Sequence, residues 1–125
     1  MATSKDGKRS IYVDSENRVE IIKYLNQDER HKKKFHHISQ IILEGHKNSE
    51  LYDKENVSDK AKDVTAMKFF KGQENDRIYC KEISSPIGVK IVVASVLYER
   101  KKNTKITKKQ KQLIESIGAY QYEIK

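Results

Sequence analysis

Ile91, Val92, Val93, Ala94, Ser95, Val96, Leu97 and Tyr98 follow one another without a charge, a glycine or a proline. An apolar run of this length, rich in β-branched side chains, reads as a buried strand. Its exit is opposite in character, for the next residues include Arg100, Lys101, Lys102, Lys105, Lys108 and Lys109. A buried strand that releases cations at its end holds positive charge on a rigid support. Charge held this way suits a polyanion, because neutralised phosphates release counterions and that release dominates nucleic-acid affinity.

The charge of the whole chain points the same way. Its 125 residues carry a net charge of +8. Residues 1–62 hold 13 lysines and arginines against 11 aspartates and glutamates (+2), and residues 63–125 hold 13 against 7 (+6). The second half is the expected polyanion face. A single domain over residues 10–125 is expected, behind a polar, flexible N-terminus at 1–9. One cysteine, Cys80, excludes an intramolecular disulfide and makes no thiolate metal site alone. No apolar stretch is long enough to span a bilayer and no secretory segment follows Met1, so a cytoplasmic protein without a membrane partner is expected.

Periodicity and turn residues divide the chain. Ser10 to Val13 reads as a short first strand. Asp14 or Ser15 then caps a helix from about Glu16 to Leu25, with Val19, Ile22 and Leu25 at helical spacing. Asp28 opens a second helix to Glu44, striped by Phe35, Ile38, Ile41 and Ile42 and stopped by Gly45. Residues 46–63 lack a period and read as a loop. Strands follow over Val64–Phe70, Arg77–Ile83 and Val89–Tyr98, separated by the turn residues 72–76 and 84–88. On the middle strand Ile78, Cys80 and Glu82 alternate with Tyr79, Lys81 and Ile83. A last helix begins after Thr107, with Leu113, Ile114 and Ile117 as its stripe. Ala119 to Ile124 is a short extended tail. The expected fold is α+β, in the order β-α-α-β-β-β-α, with helices on one face of an antiparallel sheet.

Three segments in this order carry a resemblance: Val64-Thr65-Ala66-Met67-Lys68-Phe69-Phe70, Asp76-Arg77-Ile78-Tyr79-Cys80, and the strand that ends in Lys101-Lys102-Asn103-Thr104-Lys105-Ile106-Thr107. Over roughly residues 10–118 the chain resembles the RelE/HigB-like toxins of type II toxin–antitoxin pairs. The resemblance implies a compact, metal-independent endoribonuclease that cleaves mRNA on the ribosome, needs no cofactor, and is neutralised by a cognate antitoxin protein. Internal cleavage of RNA requires activation of the 2′-hydroxyl, stabilisation of the phosphorane charge and a proton for the 5′-oxygen. Carried over by position, Arg77, Tyr98 and Arg100 become the expected catalytic residues. Arg100 is the foremost candidate for charge stabilisation, since its guanidinium is a planar fork. Lys68, Lys71, Lys101, Lys102 and Lys105 are the expected RNA-binding residues. One departure is that the C-terminal tail reads Tyr120-Gln121-Tyr122, without the histidine that some members place there.

Two alternatives stand beside this reading. One is a non-catalytic nucleic-acid-binding protein on the same scaffold, and the other a ParE-like toxin directed at gyrase. The four histidines, His31, His36, His37 and His46, all lie in the helical half. Adjacent His36 and His37 diverge by about 100° on a helix, so an exposed basic face is expected there and no metal site. Cys80 is expected to be a core thiol and Glu82 a solvated strand position.

Overall fold

A computed structural model describes residues 2–55, 57–70, 76–99 and 108–122. The architecture is α+β: three helices and a six-stranded mixed sheet. The chain forms β1 (Ala2–Thr3), β2 (Arg9–Val13), α1 (Arg18–Leu25), α2 (Glu29–Glu44), β3 (Tyr52–Lys54), a 3-10 turn (Asp59–Ala61), β4 (Val64–Lys68), β5 (Arg77–Ser84), β6 (Lys90–Tyr98) and α3 (Lys108–Gly118). Across the sheet the strands lie in the order β1-β2-β6-β5-β4-β3.

The helical hairpin follows its sequence signals closely. The Asp28 carboxylate accepts the His31 backbone N–H at 2.9 Å and caps α2. Gly45 ends the helix at φ 74°, the left-handed conformation that glycine adopts without penalty. Asp14 tethers the start of α1 from a distance, its Oδ1 accepting from the Glu16 and Asn17 backbone amides. One expectation about α2 is corrected. His31 is not on an exposed face but buried, with Nδ1 2.6 Å from Asp28 Oδ1 and its ring edge-on to Tyr24 and Phe70.

The sheet departs from the expected one in three ways. First, β2 runs parallel to β6, with Ile11 opposite Val92 and Val13 opposite Ala94, so the sheet is mixed. The helical hairpin and the meander between these strands supply the long crossover that parallel pairing needs. Second, two short strands flank the core. Ala2–Thr3, within the polar terminus, pairs with Ser10 and Ile11, and Tyr52–Lys54, within the segment expected to be a loop, pairs with β4. Neither is long enough to show a period.

Third, the helices do not share one face. Met67, Ile78, Cys80, Val92 and Ala94 pack with Ile11 against α1 and α2, through Ile21, Leu25, Ile38 and Ile42. On the other face Val64, Ala66 and Tyr79 pack against Ile114 and Ile117 of α3. The cause is visible in the strands themselves. Ile78, Tyr79 and Cys80 are buried consecutively, as are Val92, Val93, Ala94 and Ser95. Strands apolar on both sides require a layer on each. Among the described residues no helix is long and apolar enough to cross a membrane.

Candidate functional site

Three of the expected site residues are positioned by strand register. In the antiparallel ladders Lys68 of β4 lies opposite Arg77 of β5, and Arg77 lies opposite Tyr98 of β6. Residues opposite one another in a ladder project to the same face, here the face that α3 covers. They form a row at one end of the sheet, where β6 leads into the basic residues 100–109. Lys71, Arg100, Lys101, Lys102 and Lys105 lie outside the described residues.

A β-bulge is what puts Tyr98 in this row. The register shifts between Tyr79 and Cys80, which face Val96 and Ala94 respectively, so Ser95 is the extra residue on β6. Before the bulge Val92 and Ala94 point to α1 and α2, and beyond it Val96 and Tyr98 point to α3. A regular strand would alternate without this change and send Tyr98 to the other face. Ser95 is fixed from both sides, as its carbonyl accepts from Asn17 Nδ2 at 2.8 Å and its hydroxyl lies 2.8 Å from the Tyr122 hydroxyl.

The row is not an open array of cations. Arg77 Nη1 donates to Glu55 Oε1 at 2.8 Å, and the two side chains are only 14% and 5% exposed. The Arg77 Nε–H is buried and has no hydrogen-bond partner among the described residues. Lys68 turns to the sheet edge, where its ammonium donates to the Ser49 carbonyl at 2.9 Å. Tyr98 is half-buried and its ring lies 6.0 Å from that of Tyr79. Below them Gln110 donates to the Tyr79 hydroxyl at 3.3 Å, and burial pushes the Tyr79 phenol up to about 12.

Arg77 and Tyr98 are therefore brought together, whereas Lys68 diverges from them. Glu55 is the residue sequence reasoning missed. It lies 22 positions before Arg77, in a segment without periodicity, and no local signal ties the two. Cys80 is buried as expected, its thiol pushed up by burial. Glu82 is not a freely solvated carboxylate: its Oε2 accepts the Tyr52 hydroxyl at 2.5 Å and its Oε1 lies 3.8 Å from the Lys90 ammonium. The ladder pairing of Arg77 with Tyr98 puts a guanidinium-bearing and a phenol-bearing residue on one face, the first group able to stabilise a phosphoryl charge and the second to donate a proton. No protein-family model, curated protein or solved structure matches the chain.

Proposed function

We propose that the chain is a RelE-like toxin that cleaves mRNA on the ribosome and is held inactive by a cognate antitoxin. The observation that carries this reading is the bulge-dependent pairing of Tyr98 with Arg77 beside the root of the basic segment. In the proposed reaction the 2′-hydroxyl gives up its proton to a solvent water as its oxygen attacks phosphorus, and the bond to the 5′-oxygen breaks. The Tyr98 hydroxyl gives that oxygen its proton, leaving a cyclic phosphate and a 5′-hydroxyl end. Arg77 and Arg100 offset the phosphorane charge, and Lys71, Lys101, Lys102 and Lys105 hold the backbone. Lys68 contributes from the sheet edge. The residues act from a cytoplasmic protein without a bound cofactor.

The test is induced expression with mapping of mRNA 5′ ends. The wild-type chain should arrest growth and create new ends in translated messages, and Tyr98→Phe should lower cleavage roughly 100-fold. RNA affinity should stay within about twofold, since the ring remains and only a hydroxyl is lost. Arg100→Ala should also abolish cleavage. Undiminished cleavage in Tyr98→Phe would move the chemistry to another group. Arrest without new mRNA ends, but with broken chromosomes, would favour the gyrase-directed alternative.

One observation favours a second reading. Glu55 already neutralises Arg77, as in a structural ion pair. A protein that binds RNA through residues 100–109 without cutting it accommodates that pair most simply. It predicts RNA binding with no new ends in any variant.

A further inference from the structure

On the face opposite the Arg77–Tyr98 row a second polar site is built where the C-terminal end of α2 meets the sheet. A cleft of about 660 Å³ opens there, with Tyr52, Thr65 and Glu82 at its floor and Arg9, Lys54 and Lys90 on its walls. That volume is within the range of small-ligand sites. Its floor is a connected polar chain. Thr65 Oγ1 donates to the Tyr52 hydroxyl at 2.8 Å, which donates in turn to Glu82 Oε2 at 2.5 Å. Burial, followed by the nearby Cys80 sulfur and Glu82 carboxylate, pushes the Tyr52 phenol far above its ordinary range, so it stays protonated and donates to Glu82.

The walls carry more positive charge than the floor uses. Arg9 is half-buried, and its guanidinium lies against Gly45 in the space a Cβ would fill. Among the described residues Arg9, Lys54 and Lys47, also on the rim, have no side-chain hydrogen bond or ion pair, and the exposed carboxylate of Asp6 attracts Arg9 from outside the cleft. Lys90 is shared with Glu82 at 3.8 Å. Two carboxylates, Glu82 and Asp53, face four cations, so the cleft has an uncompensated positive charge. The half-buried Arg9 guanidinium, which lies against Gly45 and makes no side-chain hydrogen bond among the described residues, is the strongest of these signals, because a planar fork with free donors suits a phosphate.

We infer that this cleft binds a phosphate ester bearing free hydroxyl groups, of the size of a nucleoside diphosphate. Arg9, Lys54, Lys47 and Lys90 take the phosphate oxygens, with Arg9 as the bidentate partner. Glu82, fixed by Tyr52, accepts a ligand hydroxyl. A simple carboxylate would leave most of the wall charge unmatched, and a neutral sugar would leave all of it.

Titration calorimetry of the full chain at about 150 mM salt, where nonspecific attraction is screened, tests this with ADP, inorganic pyrophosphate and adenosine. ADP should bind most tightly, pyrophosphate more weakly, and adenosine not measurably. Arg9→Gln/Lys54→Gln should weaken ADP at least roughly tenfold. Lys54→Gln alone, at an exposed edge position that the fold does not need, should weaken it roughly threefold. The charge-matched Lys23→Gln/Lys33→Gln, at exposed positions outside the cleft, should leave ADP affinity unchanged. Equal losses in both double variants would reduce the effect to net charge and overturn the site, as would absence of ADP binding or adenosine binding as tightly as ADP. These readouts are independent of ribonuclease activity, so they separate the cleft from the function proposed above.

Discussion

At the scale of single residues, Arg77 carries two meanings that experiment must separate. Its guanidinium belongs to a nearly buried ion pair with Glu55, and it also stands beside Tyr98. Removing one member of a buried pair leaves the other charge unpaired, which costs about 3 kcal/mol, whereas removing both charges together costs much less. Arg77→Met should therefore lower the urea-unfolding free energy by about 3 kcal/mol, and Arg77→Met/Glu55→Gln should recover at least half of that. Strict additivity of the two substitutions would mean that the pair contributes no coupling energy. It follows that an inactive Arg77 variant says little about catalysis by itself, and that Tyr98→Phe is the cleaner probe. The sequence made Arg77 and Tyr98 legible because each sits at the end of a strong strand. It hid Glu55 because a single carboxylate in an aperiodic segment carries no sign of the partner it will meet across the sheet.

At the scale of elements, the helical hairpin was readable and the sheet only partly so. The signals of α2 are local: an aspartate cap, a stripe at three- and four-residue steps, and a glycine stop lie within one stretch of chain. The bulge in β6 is not local, since Ser95 becomes the extra residue only when β5 sets the register. The side on which α3 packs likewise depends on both faces of β5 and β6 being apolar. The cap of α2 can be tested directly. The hydrogen bond with the His31 ring, and next the His31 backbone N–H, hold the Asp28 carboxyl below its ordinary value. Its contribution is therefore complete above about pH 4 and is lost as the pH falls through the lower folded-state value. Asp28→Ala should lower the melting temperature at pH 7 by roughly 4 °C, while Asp28→Asn, also a good cap, should retain most of it. Circular dichroism melts check this. Equal losses for Ala and Asn would assign the effect to the His31 charge contact rather than to the cap.

At the scale of the whole molecule, tyrosine hydroxyls tie the layers together. Tyr79 meets Gln110 between sheet and α3, and Tyr52 holds Glu82 beneath α2. Tyr122 donates to Asp14 Oδ2 at 2.6 Å and lies within hydrogen-bond distance of Ser95 Oγ, so the C-terminal tail latches onto the end of β2, 108 residues earlier. Burial raises all three phenols, and the hydrogen bond to Asp14 adds to the rise at Tyr122. In the unfolded chain each loses its proton near pH 10. Above that value the folded state still holds protons that the unfolded state has released, so stability declines as the pH rises. The urea midpoint should be level from pH 7 to about pH 9.5 and fall steadily from about pH 10. Lysines titrate in the same range, so the comparison that isolates the phenols is Tyr79→Phe/Tyr122→Phe. That variant loses hydrogen bonds and should be less stable at pH 8 by about 1–3 kcal/mol. It should nevertheless decline less steeply between pH 10 and 11 than the wild type, because two of the raised groups are gone. An identical slope in the two proteins would place the alkaline sensitivity in groups other than these phenols.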